Sequence, residues 1–120
     1  MFDCSNHYSG CNSPLGIGRA SAHLYAAEGA KAVFLCDYAN EHLATHVREI
    51  KSLYPSCEAH ARQFDASDET AVKNIVKEAV DKYGRLDVFF ANAGIVGTPT
   101  LYEHIDPESF MNTMKVNVLR

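Results

Sequence analysis

Gly16-Ile17-Gly18 opens a stretch of small and apolar residues, and Asp37 stands nineteen positions beyond Gly18 at the end of an apolar run. Residues of these types at this spacing can hold a dinucleotide. Glycines at a loop-to-helix junction let the backbone come close to a pyrophosphate, the first N–H groups of the helix face the anion, and an acid about twenty residues on accepts the ribose hydroxyls. An ordinary glycine turn before a surface helix, with a strand-end aspartate that merely turns the chain, fits the same residues. As a ribose ligand Asp37 would repel a 2'-phosphate. Neither Leu15 ahead of the glycines nor Tyr38 behind the acid offers that phosphate a cation, so NAD(H) is expected over NADP(H).

The elements that must position these residues follow from periodicity. Ile17, Ala20, Leu24 and Ala27 recur at helical spacing, and Gly29 supplies the stop. Lys31 to Cys36 reads as a buried strand that delivers Asp37. Leu43, Val47, Ile50 and Tyr54 predict a helix with Asn40 as N-cap and Pro55 as the break. Cys57 to Phe64 reads as a strand ending in Asp65, and Ser67 or Asp68 can cap a helix carried by Val72, Ile75, Ala79 and Val80 as far as Gly84. Leu86 to Ala91 is near-continuously apolar, as a strand covered on both faces should be, and Asn92-Ala93-Gly94 follows it. Asp106-Pro107 starts a last helix running to Arg120, in which Val116 and Val118 flank Asn117 and imply a buried amide. This alternation predicts an α/β fold with a parallel sheet and right-handed crossovers. Residues 16–120 then form a partial dinucleotide-binding domain, preceded by an irregular segment, 1–15. Residues 1–13 hold no Val or Ile, so the buried strand such a sheet begins with is expected to be missing.

With Asn92-Ala93-Gly94 after a strand and Asn117 in a later helix added to the glycine turn, the sequence resembles the short-chain dehydrogenase/reductase family from about Gly16 to its last residue. The resemblance implies the NAD-binding half of a truncated or atypical member: an incomplete Rossmann-like, doubly wound sheet whose C-terminal half is absent. The family's Thr-Gly-x-x-x-Gly-x-Gly pattern places its threonine on Cys11 and its first glycine on Asn12, two departures. Asparagine tolerates a left-handed backbone, so Asn12 is expected to imitate the turn, while Pro14 removes an N–H from a loop whose work is to donate them.

The family's roles fall on several positions of this chain. Gly16, Ile17 and Gly18 border the pyrophosphate, Asp65 bonds the adenine amino group, and the backbone of Ala66 contacts the ring. Asn92, Ala93 and Gly94 let the strand end run beside the cofactor, and Asn117 helps hold a water in the proton relay. Asp65 fits equally as a turn former, and Asn117 as a structural side-chain-to-backbone bond. The implied reaction is hydride transfer between nicotinamide and a carbonyl or alcohol carbon, with a Ser and a Tyr-x-x-x-Lys motif. None of Tyr8, Tyr25, Tyr38, Tyr54, Tyr83 and Tyr102 has a lysine four residues on. The chain alone is therefore expected to be inactive, its small carbonyl or alcohol substrate and its homo-oligomer contacts belonging to full-length relatives. The alternative is a non-catalytic binding or dimerising module of the same family.

The totals bound this reading. One hundred and twenty residues make one domain, 47% of them hydrophobic and 22% charged, and a net charge of −4 disfavours nucleic-acid or anionic-membrane partners. No signal segment and no apolar run of membrane length is visible. Cysteines 4, 11, 36 and 57 make no C-x-x-C pair, so reduced thiols and a cytoplasmic location are expected. No metal is expected either: Cys4, His7 and Cys11 lack a fourth ligand, and His42 and His46, four apart on what reads as a solvated helix face, lack a third.

Overall fold

Residues 2–4, 11–97 and 100–118 are described in the computed structural model. In chain order they form β1 (Phe2–Cys4), α1 (Ile17–Ala27), β2 (Ala32–Asp37), α2 (Leu43–Leu53), β3 (Glu58–Gln63), α3 (Glu69–Tyr83), β4 (Phe90–Ala91) and α4 (Pro107–Asn117), with a 3-10 turn at Tyr102–His104 before the last helix.

Strand β2 organises the rest. Its unbroken run of small and apolar side chains suits a strand covered on both faces, and successive side chains point opposite ways. Val33 and Leu35 enter one core with Ala22 and Ala26 of α1 and Leu43 and Ile50 of α2. Phe34 and Cys36 enter the other with Ile75 and Ala79 of α3. Helices α1 and α2 therefore cover one face of the sheet and α3 the other. The four strands are all parallel in the order β3-β2-β1-β4, the first half of a doubly wound sheet.

Several helix ends form as the sequence predicts. The Asp68 carboxylate caps α3 by accepting from the N–H groups of Thr70 and Ala71, and Gly84 closes that helix at φ 78°, a conformation that favours glycine. Asp106 caps α4, accepting from the Ser109 N–H at 2.8 Å. The turn after α1 uses Gly29 at φ 88°.

Other expectations are corrected. In α1 the buried stripe is Gly18, Ala22 and Ala26, whereas Ile17 is 58% and Leu24 62% exposed. Small residues face the sheet because the helix lies close against it, and larger ones turn outward. Helix α2 starts at Leu43 with His42 at its cap position, and Asn40 instead donates to the Gln63 side chain at 2.7 Å. Helix α4 ends at Asn117 and buries none of its residues.

The segment 1–15, expected to be irregular, holds a strand. Phe2–Cys4 forms the three-residue β1 between β2 and β4, which corrects the expectation that the first strand is missing. Where Leu86–Ala91 reads as one covered strand, only Phe90–Ala91 is regular, and Val88 and Phe89 are 39% and 41% exposed. Phe90 and Ala91 pair with Phe2 and Asp3 of β1. Cys36 and Cys57 are free and buried, while Cys11 is disulfide-bonded, which corrects the expectation of four reduced thiols. Sulfur pairing depends on distance across the fold, which sequence spacing does not report. No helix among the described residues is long and apolar enough to cross a membrane.

Two substitutions check this packing by urea denaturation. Ile50→Val, which leaves a small void in the α2 core, should lower stability by about 0.5–1.5 kcal/mol. Asp68→Ala, which strips the α3 cap, should cost about 1 kcal/mol. Unchanged midpoints in both would contradict the packing described.

Candidate functional site

The carboxyl ends of the parallel strands converge on one edge of the sheet, the edge where open α/β sheets bind ligands. The loop after β1, the last residue of β2, the turn after β3 and the segment after β4 all reach it. A cavity of about 630 Å³ opens there, lined among others by Asn12, Asp37, Glu41, Asp65, Ile95 and Val116.

Asp37 sits at the end of β2 and is only 3% exposed. Its Oδ2 accepts from the Asn12 N–H at 3.0 Å and its Oδ1 from the Ala39 N–H at 3.1 Å. Burial pushes its carboxyl above the ordinary range, and the N–H groups of Asn12 and Ala39 oppose that shift.

Asn12 does not imitate a glycine. No described residue other than glycine has a positive φ, so the left-handed turn expected at Asn12 does not form. Its side chain bridges two loops instead: Nδ2 donates to Glu41 Oε2 at 2.7 Å, and Oδ1 accepts from the His42 N–H at 2.7 Å. The Glu41 carboxyl lies below its usual range, held there by its own backbone N–H and by the Asn12 amide.

The glycine turn lies at the N-terminus of α1, beside the cavity rather than among its lining residues. Gly16 occupies the cap position in extended backbone (φ −72°, ψ 149°), with no side chain capping the helix. The first N–H groups of α1 thus keep no intrahelical acceptor. The preceding loop folds on itself: the Gly16 N–H donates to the Ser13 carbonyl at 3.3 Å and the Leu15 N–H to the Ser13 hydroxyl at 3.4 Å. Ile17 points to solvent, and Gly18 is buried.

Asp65 lines the cavity and also makes a turn. Its Oδ1 accepts from both the N–H and the hydroxyl of Ser67, each at 2.8 Å, and the Ser67 N–H is the main reason its carboxyl lies low. Ala66 beside it is buried. After β4 the Asn92 N–H donates to the Phe90 carbonyl at 3.0 Å and Ala93 is buried. A Cβ at Gly94 would stand 3.3 Å from Asn117 Oδ1, so a glycine is what lets α4 approach this segment.

Asn117 is exposed, contrary to the buried setting its neighbours imply, because α4 packs no buried residue among the described elements. Its amide is satisfied nevertheless. Nδ2 donates to the Ile95 carbonyl and Oδ1 accepts from the Ile95 N–H, both at 2.8 Å, a side-chain-to-backbone clamp.

The structure therefore brings Asn12, Asp37 and Asp65 to one cavity, places Gly16, Ile17 and Gly18 at its flank, and sets Ala66, Asn92, Ala93, Gly94 and Asn117 behind or beside its wall. Glu41 and Asn112 also line it and carry no periodicity or motif that could single them out, and His42, noticed only for its spacing from His46, lines it too. His46 is 4% exposed, which corrects the solvated face expected for it. Its Nδ1 accepts from Arg19 Nε at 3.1 Å, and Arg19 also pairs with Glu49 at 2.9 Å. Among the described residues no group of three or more His, Cys, Asp or Glu could hold a metal ion.

A sequence profile described as short chain dehydrogenase matches residues 10–119. Short-chain dehydrogenase reductase 3a of Arabidopsis thaliana is 37% identical over 106 residues, covering 86% of this chain and 38% of the relative. The crystal structure of NAD+-bound xylitol dehydrogenase superimposes with a TM-score of 0.80 at 27% identity, covering 98% of this chain and 43% of that one. That of levodione reductase does so with a TM-score of 0.78 at 32% identity, covering 95% and 42%. The chain thus spans less than half the length of these relatives.

The raised Asp37 carboxyl makes a checkable pH signature. Its folded value lies above its unfolded value of about 3.9, so the folded state holds the proton more tightly. The stability this group contributes is complete below the unfolded value and is lost as pH rises through the raised one. The stability of Asp37→Asn relative to the unsubstituted chain should therefore rise with pH across that interval. A flat difference in urea-denaturation profiles would show that the carboxyl is not desolvated.

Proposed function

The chain belongs to the short-chain dehydrogenase family, and from that premise we propose that the crevice at the carboxyl ends of its strands binds the adenosine half of a nicotinamide dinucleotide, NAD(H) in preference to NADP(H). The observation that carries this reading is the Asp37 carboxylate, which closes β2 and lines the cavity together with Asn12 of the loop leading into α1.

The residues fit the group. The Asp37 oxygens accept from backbone N–H groups at the cavity wall, where a carboxylate also accepts ribose hydroxyls. Asp37, Glu41 and Asp65 give the cavity three carboxylates, and among the described residues no Lys or Arg lines it, which supports exclusion of a 2'-phosphate. Around the ribose, Gly16, Ile17 and Gly18 offer the uncapped N-terminus of α1 to the pyrophosphate. Asp65 and Ala66 take the adenine, Asn92, Ala93 and Gly94 border the nicotinamide side, and Asn117 steadies that border through Ile95.

The bound dinucleotide would supply hydride transfer to or from a carbonyl or alcohol carbon in the complete enzyme. Within these 120 residues no Tyr-x-x-x-Lys occurs to move the accompanying proton. This polypeptide by itself is accordingly read as a binding half that does not turn over. The same observation favours the second reading, a non-catalytic binding or dimerising module.

Calorimetric titration tests the proposal. NAD+ should bind, NADP+ should bind at least tenfold more weakly, and Asp37→Ser should weaken NAD+ at least tenfold, about 1.4 kcal/mol. Equal affinities for the two dinucleotides, or an Asp37→Ser protein of native circular dichroism that binds NAD+ undiminished, would end it. With NADH and a panel of ketones and aldehydes, the expected rate of the 120-residue chain is that of buffer.

A further inference from the structure

Helices α1 and α2 meet across a partly buried group of charges that the dinucleotide reading leaves unused. Arg19 of α1 reaches over to α2, where its Nε donates to His46 Nδ1 at 3.1 Å and its Nη2 to Glu49 Oε2 at 2.9 Å. The same Glu49 oxygen stands 3.2 Å from His46 Nδ1 and 3.7 Å from Nε2 of His23, which is one turn along α1 from Arg19. The His42 ring centroid lies 6.3 Å from that of His46, and Tyr54 meets His23 edge-on. From the sheet, β2 and β3 bring Val33, Leu35 and Ala59 to this side, none of them charged.

His46 Nδ1 therefore faces a donor and an acceptor at nearly the same distance. One proton decides which of them it serves. Without a proton, Nδ1 accepts from Arg19, and the ring hydrogen then sits on Nε2, which is buried with no hydrogen-bond partner among the described residues. With a proton, Nδ1 donates to Glu49 and Arg19 loses the acceptor of its Nε. Neither state satisfies every group, so neither is held as firmly as a fully paired network would be. Glu49 stays a carboxylate in both, since its bond from Arg19, and after it the one with His46, holds its carboxyl below the ordinary range. Burial, with Arg19 adding to it, keeps His23 below the ordinary imidazole range.

What Arg19 holds is the end of α1 that the dinucleotide reading assigns to the pyrophosphate. It is the third residue of the helix, and the first intrahelical bond is that of the Ala20 N–H to the Gly16 carbonyl at 3.1 Å. The backbone N–H groups of Ile17, Gly18 and Arg19 thus keep no intrahelical acceptor. With no side chain capping the helix at Gly16, the Arg19 guanidinium ties this turn to α2.

We propose that His46 is a positioning residue for the dinucleotide: while its Nδ1 carries no proton it fixes, through Arg19, the turn of α1 that faces the pyrophosphate, and on taking up a proton it releases that turn. The proposal rests on the dinucleotide reading of the crevice and adds to it a pH control seated between α1 and α2.

Calorimetric titration with NAD+ and with adenosine at about pH 8 and about pH 6 spans the range in which an ordinary imidazole gains its proton. The comparison is with His46→Gln, whose amide can accept from Arg19 and donate to Glu49 at either pH. On acidification the NAD+ affinity of the unsubstituted chain should fall at least about threefold further than that of His46→Gln. Asp37 and His42, which line the crevice, are present in both proteins and cancel in that ratio. Adenosine, which has no phosphate, should respond to pH equally in the two. Arg19→Lys, lacking the planar fork, should bind NAD+ more weakly at the higher pH and show none of the extra response, whereas His23→Gln should keep all of it. Equal NAD+ responses in the unsubstituted chain and a His46→Gln protein of native circular dichroism would overturn the proposal. So would an extra response that survives in Arg19→Lys or disappears in His23→Gln, and in each of these cases NAD+ binding at the higher pH leaves the crevice reading standing. No NAD+ binding at the higher pH would end both.

Discussion

Burial of β2 on both faces is the constraint from which the molecule follows. A strand with apolar side chains pointing both ways must have cover both ways, so α1 and α2 pack on Val33 and Leu35 while α3 packs on Phe34 and Cys36. Parallel pairing with β1 and β3 then sets every strand running the same way, and all their carboxyl ends arrive at one edge. Asp37 closes the strand at that edge, still buried, with its carboxylate held by the N–H groups of Asn12 and Ala39.

At that edge electrostatics and hydrogen bonding pull against each other. Desolvation raises the Asp37 carboxyl while N–H groups from Asn12 and Ala39 steady its charged form. Asn12 ties the loop before α1 to the loop after β2 through its backbone and both ends of its side chain. A glycine at this position could supply only the backbone bond. The departure from the family pattern therefore exchanges backbone freedom for a bridge between two loops, with Glu41 drawn into the rim of the crevice. On the other side, Asn117 and Gly94 perform a comparable service: a missing Cβ admits the helix, and an amide holds Ile95.

The three-residue β1 is central in the sheet yet is its shortest part but one. Its brevity shows in the neighbours: β2 keeps half its length paired on one side among the described residues, and the apolar approach to β4 is left partly exposed.

Much of this was legible in the residues themselves. The alternation of apolar runs and helical stripes, Asp68 and Asp106 as caps, Gly29 and Gly84 as stops, and Asp37 at a strand end are local matters of side-chain type and backbone geometry, so the sequence determined them alone. It also determined the family, because the glycine turn and Asn92-Ala93-Gly94 hold their spacing. Tertiary structure decided the rest. Which stripe of α1 is buried depends on how closely the helix meets the sheet, and that favours Gly18, Ala22 and Ala26 over the larger Ile17 and Leu24. Whether Asn117 is buried, whether Cys11 finds a sulfur, and whether Glu41 reaches Asn12 are all questions of distance between segments far apart in the chain. Such distances are set when packed layers close on one another, and no local pattern of residues carries them.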